Sequence, residues 1–230
     1  WPRGKTLGGS SSINAMVYIR GNPADYDDWA TSGCKGWGWQ DVLPVFRDLE
    51  CNETWGNSAL HGADGELNVA EGRYINPLSK VFVEASRECG LPFNPDFNGP
   101  EQEGVGYYQL TQKDGMRVSS AKAFLTPVMS RPNLTVMTET QATGIDLIDD
   151  RAVSLSVVQN GTRQTLYCRK EIILCGGAIN SPQLLMLSGI GPREELEKFH
   201  IPVSHELPGV GQNLQDHLDT TIIINDTTAQ

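Results

Sequence analysis

The feature that most narrows the fold of this chain is a short apolar run, Glu171 to Cys175, that passes through Gly176-Gly177-Ala178 into a helical stretch from Ser181 to Ser188. Four apolar residues in a row, Ile172-Ile173-Leu174-Cys175, bounded by glycine predict a strand. Glycine lets a backbone approach a ligand closely, and the first turn of the following helix offers free N–H groups at the positive end of its dipole. Strand, glycine turn and helix in that order form the unit from which dinucleotide-binding folds are built. An α/β architecture is therefore expected.

The rest of the chain supplies helices first and strands later. Its opening, Arg3 to Val17, is rich in glycine and serine before turning apolar, and reads as a loop entering a helix. Pro23 to Trp29 reads as a helix start, because proline and acidic residues suit a first turn. Gly36-Trp37-Gly38-Trp39 interrupts it, and helical spacing of apolar residues predicts further helices over Asp41–Leu49 and Asn76–Cys89, the latter stopped by Gly90. Residues 52–66 and Pro92 to Pro100 read as loops, Gly106 to Thr111 as strand and Ser119 to Ser130 as helix. Leu134–Met137, Gly144–Leu147, Ala152–Val158 and Arg163–Tyr167 are β-prone runs with Asp149-Asp150 and Asn160-Gly161 as turns, which predicts a small meander. A last helix, Glu194 to Phe199, and a strand, Val203 to His205, follow.

Composition excludes several functions. A net charge of −10 with no compensating basic block repels phosphate backbones and anionic membranes, so nucleic acid is not an expected partner. The five cysteines stand far apart, with no C-x-x-C pair and no histidine at ligand spacing, so neither a structural metal nor a disulfide framework is indicated. No apolar stretch is long enough to predict a transmembrane segment. Sequons at Asn52, Asn133, Asn160 and Asn225 read as chance triplets, and the opening Trp1-Pro2-Arg3 reads as the interior of a longer gene product.

The first chemical candidate is the opening loop. Small residues at Gly8, Gly9, Ser10, Ser11 and Ser12 suit an anionic, phosphate-bearing cofactor, while a flexible linker would use the same residues. The sequence after it decides. Arg3 to Trp29, reading R-G-K-x-L-G-G-S-S-S-I-N-x-M-V-Y-I-R-G-N-P-x-D-Y-D-x-W, resembles the first signature of the glucose-methanol-choline (GMC) oxidoreductases, close to their choline dehydrogenase-like branch. Gly177 to Gly191 is similar to the second signature, and Leu207 to His217 to the family's P-G-V-G-x-N-L-x-D-H block.

This resemblance implies an α/β flavoprotein with a discontinuous, Rossmann-like FAD-binding domain and a substrate or cap domain, incomplete in this chain. Residues 1–20 and 130–220 would belong to the FAD-binding domain, 21–129 to the substrate side, and 221–230 to the start of the substrate-domain sheet. It places Thr6 and the turn Gly8, Gly9 and Ser10 beside the cofactor, Asn14, Ala15, Met16 and Val17 along the reactive edge of the isoalloxazine, Ala142 at the adenine, and Gly177 and Ala178 close to the flavin nucleotide. Some relatives carry a flavin-bonding histidine where this chain has Ile13, so FAD is expected to be noncovalently held. The family's G-x-G-x-x-G does not occur here, and its catalytic histidine is expected beyond the C-terminal end, so the chain alone is expected to be inactive.

The four histidines receive structural readings. His61 fits a loop position, His200 a helix end and His205 a turn, while His217 with Asp216 braces the flavin domain. The aromatic and acidic residues from Asp25 to Trp39 admit a quaternary-amine pocket, although helix packing accounts for them with less. The expected activity is oxidation of a primary alcohol to an aldehyde by hydride transfer to FAD, with reoxidation by quinone, another acceptor or oxygen. Alternatives are a hydroxynitrile lyase that keeps FAD structurally and a non-enzymatic interaction module. The location that goes with this reading is cytoplasmic, with membrane association left open.

Overall fold

The computed structural model describes residues 2–216 and 218–223, and the chain forms two compact units, Trp1–Thr135 and Val136–Gln230. His217 and residues 224–230, where the end of the expected substrate-domain sheet falls, lie outside the described residues.

In the first unit the opening is not a helix beyond one short 3-10 turn, Gly9–Ser12. The serines that were to enter a helix bind local carbonyls instead, Ser11 Oγ donating to Gly8 O at 2.5 Å and Ser12 Oγ to Leu7 O at 2.8 Å. Such bonds compete with the helical ladder. Asn14 Oδ1 then accepts the Met16 N–H at 3.1 Å, and Met16 sits at φ 63, which no right-handed helix contains.

Helix α1, Pro23–Thr31, starts where its proline predicted: Asn22 accepts from Ala24 N at 3.0 Å, and Asp25 reaches back to Asn22 N at 2.8 Å. These bonds occupy donors that a helix start otherwise leaves open. Helix α2, Trp39–Leu49, feeds directly into strand β1, Glu50–Asn52, which pairs in parallel with β2, Leu67–Val69. Helix α3, Pro77–Glu88, is capped by the Asn76 side chain and ends before Gly90 at φ 93. Only its Val83 is buried; Leu78, Val81 and Phe82 stay exposed, so the predicted apolar face is not covered within this unit. Gln112–Lys113 (β3) and Met116–Arg117 (β4) form a two-residue hairpin. The expected strand Gly106–Thr111 reduces to single bridges from Leu110 to Val17 and Ala70. Nor does Ser119–Ser130 run as one helix: it breaks into a π turn, Ala121–Leu125, and a 3-10 turn, Thr126–Val128, at Pro127, which has no N–H to donate.

The second unit is built on the predicted meander. Strands β5 (Thr140–Ile148), β6 (Arg151–Gln159) and β7 (Thr162–Tyr167) pair antiparallel in that order. Both connecting turns hold two residues at positive φ, Asp149 and Asp150 at 48 and 59 and Asn160 and Gly161 at 49 and 78, as a two-residue hairpin requires. Leu134–Met137 carries no strand. Helix α4, Gly177–Leu187, starts a turn earlier than predicted and is followed by β8 (Ile190–Gly191), α5 (Arg193–Lys198) and β9 (His205–Glu206), with β8 and β9 parallel. Leu196 of α5 is the anchor here, 1% exposed.

Glu171 to Cys175 is not a strand, and Ile173 is 75% exposed. A strand is defined by a ladder partner, and no described residue pairs with this segment.

Candidate functional site

The candidate residues fall into two groups, one in each unit. Thr6, Gly8, Gly9, Ser10, Asn14, Ala15, Met16 and Val17 share one continuous loop of the first unit, and Ala142, Gly177 and Ala178 lie in the second.

The loop is held open by specific bonds. Gly9 N donates to Thr6 O at 2.9 Å, and Asn14 N to Ser10 O at 2.9 Å. Arg117 of β4 donates to Ser11 O at 3.0 Å and to Asn14 Oδ1 at 2.7 Å. Ser120 N donates to Ser11 Oγ at 2.9 Å, and the Ser120 hydroxyl to Gly8 O at 3.1 Å. Farther along, Thr111 N donates to Met16 O at 2.9 Å, and Tyr18 N to Gln109 O at 2.8 Å. These bonds leave the N–H groups of Gly8, Ser10, Ala15 and Val17 without an acceptor among the described residues. Gly8 and Gly9 stand at φ 88 and 54, and nothing lies within 4 Å of the place a Cβ would take on Gly9. Open glycine and free N–H groups are what a phosphate-bearing cofactor uses, so these residues fit such a group.

In the second unit, Ala142 lies in β5 beside an irregularity at Ala142/Gly144. Gly177 and Ala178 open α4, exposed at its first turn. Ser188, the C-cap of α4, ties that helix to β5 by accepting from Ile145 N at 2.8 Å while donating to Leu184 O at 2.6 Å.

The first unit also holds a buried polar network that the sequence did not disclose. Glu50, with no exposed surface, accepts from Arg20 Nη2 at 2.6 Å and Gly62 N at 3.1 Å through Oε2. Its Oε1 lies 2.9 Å from His61 Nδ1, and His61 Nε2 lies 2.9 Å from Asp96 Oδ2. Asn52 donates to Glu50 Oε1 at 2.9 Å and to Gln109 Oε1 at 2.8 Å. Burial alone would lower the His61 pKa from 6.5, but hydrogen bonds to Asp96 and Glu50 and their negative charges outweigh it and raise it to about 9. Burial likewise would raise the Glu50 and Asp96 carboxyls, yet both are held below their ordinary values, chiefly by the His61 hydrogen bond. His61 is thus fully engaged in the interior, with a carboxylate oxygen 2.9 Å from each ring nitrogen. The buried Asn52 amide is occupied too, which leaves that sequon nothing to offer a glycan. No local spacing announces this network, because its charged links Arg20–Glu50, Glu50–His61 and His61–Asp96 span 30, 11 and 35 residues and each member is an ordinary polar residue by itself.

The aromatic residues after Asp25 pack on one another: the Tyr26 ring lies 5.5 Å from Trp29, 5.6 Å from Trp39 and 5.7 Å from Phe46. A cation already faces this group, the Arg20 guanidinium lying 5.3 Å from the Phe46 ring and 5.8 Å from Tyr18. Helix packing accounts for these rings. His205 Nδ1 lies 3.0 Å from Asp150 Oδ1 at the surface, and His200 follows α5 at φ 56. Among the described residues no group of three or more His, Cys, Asp or Glu could hold a metal ion, and no helix is long and apolar enough to cross a membrane.

This mixed α/β fold matches part of oxidoreductases of known structure. A pyridoxine 4-oxidase from Mesorbium loti matches 90% of the chain and 41% of its own, with a TM-score of 0.85 and 37% identity. An FAD-dependent oxidoreductase from Chaetomium thermophilum matches 93% and 39%, with a TM-score of 0.87 and 34% identity. The chain belongs to the GMC oxidoreductase family, an FAD-dependent family, which matches it over residues 1–219. It is 53% identical over 225 residues to an alcohol dehydrogenase [acceptor] of Pseudomonas putida, covering 97% of this chain and 41% of the relative. Against the mitochondrial choline dehydrogenase of Homo sapiens the identity is 49% over 222 residues, 96% of this chain and 37% of the relative. The chain therefore spans about two fifths of the length of these curated relatives.

Proposed function

We propose that this chain supplies much of the flavin cradle of an FAD-dependent enzyme that oxidises a primary alcohol to an aldehyde. The observation that carries the reading is the opening loop, whose Gly8, Ser10, Ala15 and Val17 N–H groups lack acceptors among the described residues beside an open glycine. Residues 1–20 and 130–220 are assigned to the FAD-binding domain, 21–129 to the substrate side and 221–230 to the start of the substrate-domain sheet. FAD, when bound, supplies the hydride acceptor for the carbinol carbon. The chain's own part is to bind and orient. Thr6, Gly8, Gly9 and Ser10 face the phosphate-bearing part, and Asn14, Ala15, Met16 and Val17 the reactive edge. Met16 at φ 63 is a conformation that most residues avoid, and the bonds from Arg117 to Asn14 and from Thr111 to Met16 hold it. Ala142, Gly177 and Ala178 serve the adenine and flavin nucleotide. The base that takes the hydroxyl proton is not assigned to His61, His200 or His205.

The identity to an alcohol dehydrogenase [acceptor] supports an alcohol donor with reoxidation by quinone, another acceptor or oxygen. Ile13 in the position of a flavin-bonding histidine supports noncovalent FAD. Acid precipitation of the protein extended to the length of its relatives tests this: the yellow colour is expected in the supernatant, and colour that stays with the pellet would contradict it.

A further inference from the structure

The buried network carries an inference about His61. Each of its ring nitrogens lies 2.9 Å from a carboxylate oxygen, Nδ1 from Glu50 and Nε2 from Asp96. A neutral imidazole has one N–H, so it would satisfy one carboxylate and turn a lone pair toward the other. Only the imidazolium donates to both. Arg20, Glu50, His61 and Asp96 then alternate in sign, and the buried chain of four charges is balanced only while His61 is protonated.

The geometry also says what this cation holds in place. Asp96, engaged by His61 through Oδ2, accepts from Asn98 N at 3.0 Å through Oδ1. Asn98 in turn accepts from Arg20 N at 2.7 Å and donates to Tyr18 O at 3.1 Å. Tyr18 directly follows the segment Asn14–Val17, and the same stretch is bonded to residues 109 and 111 through Tyr18 N and Met16 O. Gln109 closes the loop by exchanging side-chain hydrogen bonds with Asn52, which donates to Glu50.

We propose that His61 is a positioning residue, a fixed imidazolium that neutralises Glu50 and Asp96 together, holds Asn98 against the Tyr18–Arg20 backbone, and so sets where Asn14–Val17 stands. Its bearing on flavin rests on the function proposed above. The charged and titratable groups around the ring are Glu50 of β1, Asp96 of the loop after Pro92, Arg20 and Tyr18 across Glu50, and Arg47, Asp48 and Asp64 along the adjoining cleft. The raised pKa of about 9 agrees with the geometry.

The test uses the full-length flavoprotein. Nitrogen-15 NMR of histidine-labelled protein at pH 7.5 is expected to show both His61 ring nitrogens protonated; one unprotonated nitrogen overturns the proposal. In His61→Gln, amide hydrogen exchange at Tyr18 and Arg20 is expected to quicken, and flavin reduction by alcohol to slow about fivefold with KM little changed, since the cradle shifts while substrate binding does not. Adding Asp96→Asn leaves the Arg20–Glu50 pair balanced, and the double variant is expected to recover both readouts to within about twofold. A folded His61→Gln protein with unaltered exchange and reduction, or a double variant that recovers neither, overturns the positioning role. Should the unmodified protein hold no flavin, the proposed function fails, while exchange and NMR still decide His61. Should His61→Gln not fold, the NMR result on the unmodified protein and the recovery of folding by the double variant decide it.

Discussion

Two adjacent glycines at positive φ offer a matched perturbation of the proposed cradle. An alanine in the left-handed region costs about 1–2 kcal/mol relative to glycine, so Gly8→Ala and Gly9→Ala share that penalty. They differ in what the new methyl meets. On Gly8 it would lie 2.5 Å from Ser12 Oγ and 3.2 Å from both Ala121 Cβ and Ser119 Oγ, whereas on Gly9 nothing lies within 4 Å. Clearing the Gly8 methyl displaces the Ser12 hydroxyl from Leu7 O, a loss of about 1 kcal/mol more. Gly8→Ala should therefore destabilise the first unit by roughly 2–3 kcal/mol and Gly9→Ala by roughly 1–2 kcal/mol. Urea unfolding followed by tryptophan fluorescence reads this unit directly, because all five tryptophans lie within Trp1–Thr135. The order reverses for FAD. If the open side of Gly9 receives the cofactor, Gly9→Ala should weaken FAD binding by about tenfold or more, an amount set by lost close approach of the backbone. Equal destabilisation by the two variants would refute the packing argument, and unaltered FAD affinity in Gly9→Ala would refute the cradle.

Two further outcomes follow from the interior. Because His61 rises from 6.5 to about 9 on folding, its contribution is fully present below pH 6.5 and lost as pH climbs through 9; at about 1.4 kcal/mol per unit that is about 3 kcal/mol, and urea titrations between pH 6 and 10 should lose this alkaline slope in His61→Gln. Glu50 and Asp96 are depressed, so their contribution is present above their ordinary values of 4.5 and 3.8 and is lost as pH falls through their folded ones, giving an acid limb that Asp96→Asn should shorten. In the second unit Leu196 is 1% exposed, and Leu196→Ala should destabilise it by about 2–5 kcal/mol in thermal unfolding followed by circular dichroism.

What the sequence disclosed was what neighbours along the chain decide. Pro23 and Asp25 encode a helix start within three residues, and Asp149-Asp150 and Asn160-Gly161 encode hairpin turns within two, so α1 and the β5–β7 meander were legible. Glu171–Cys175 was not, because its apolar content predicts burial while strand identity depends on a partner elsewhere. The opening serines and Asn14 misled for another reason: their side chains satisfy backbone groups locally and so replace the helix that the apolar residues suggested. The candidate loop was found through its family signature alone. The Arg20–Glu50–His61–Asp96 chain stayed hidden because each link joins residues distant in sequence, and a lone histidine or aspartate carries no sign of its partner.

The proposed function requires that Asn14–Val17 face the reacting flavin. Stopped-flow bleaching of oxidised FAD by a primary alcohol, in full-length protein carrying Ala15→Leu, measures this directly. Ala15 is exposed and its N–H has no acceptor among the described residues, so a bulky side chain there leaves the fold of the unit intact while crowding the edge. With FAD still bound, reduction is predicted to slow by at least about tenfold, roughly 1.4 kcal/mol of barrier. Reduction of the Ala15→Leu flavin at the unmodified rate would contradict the placement of the active site.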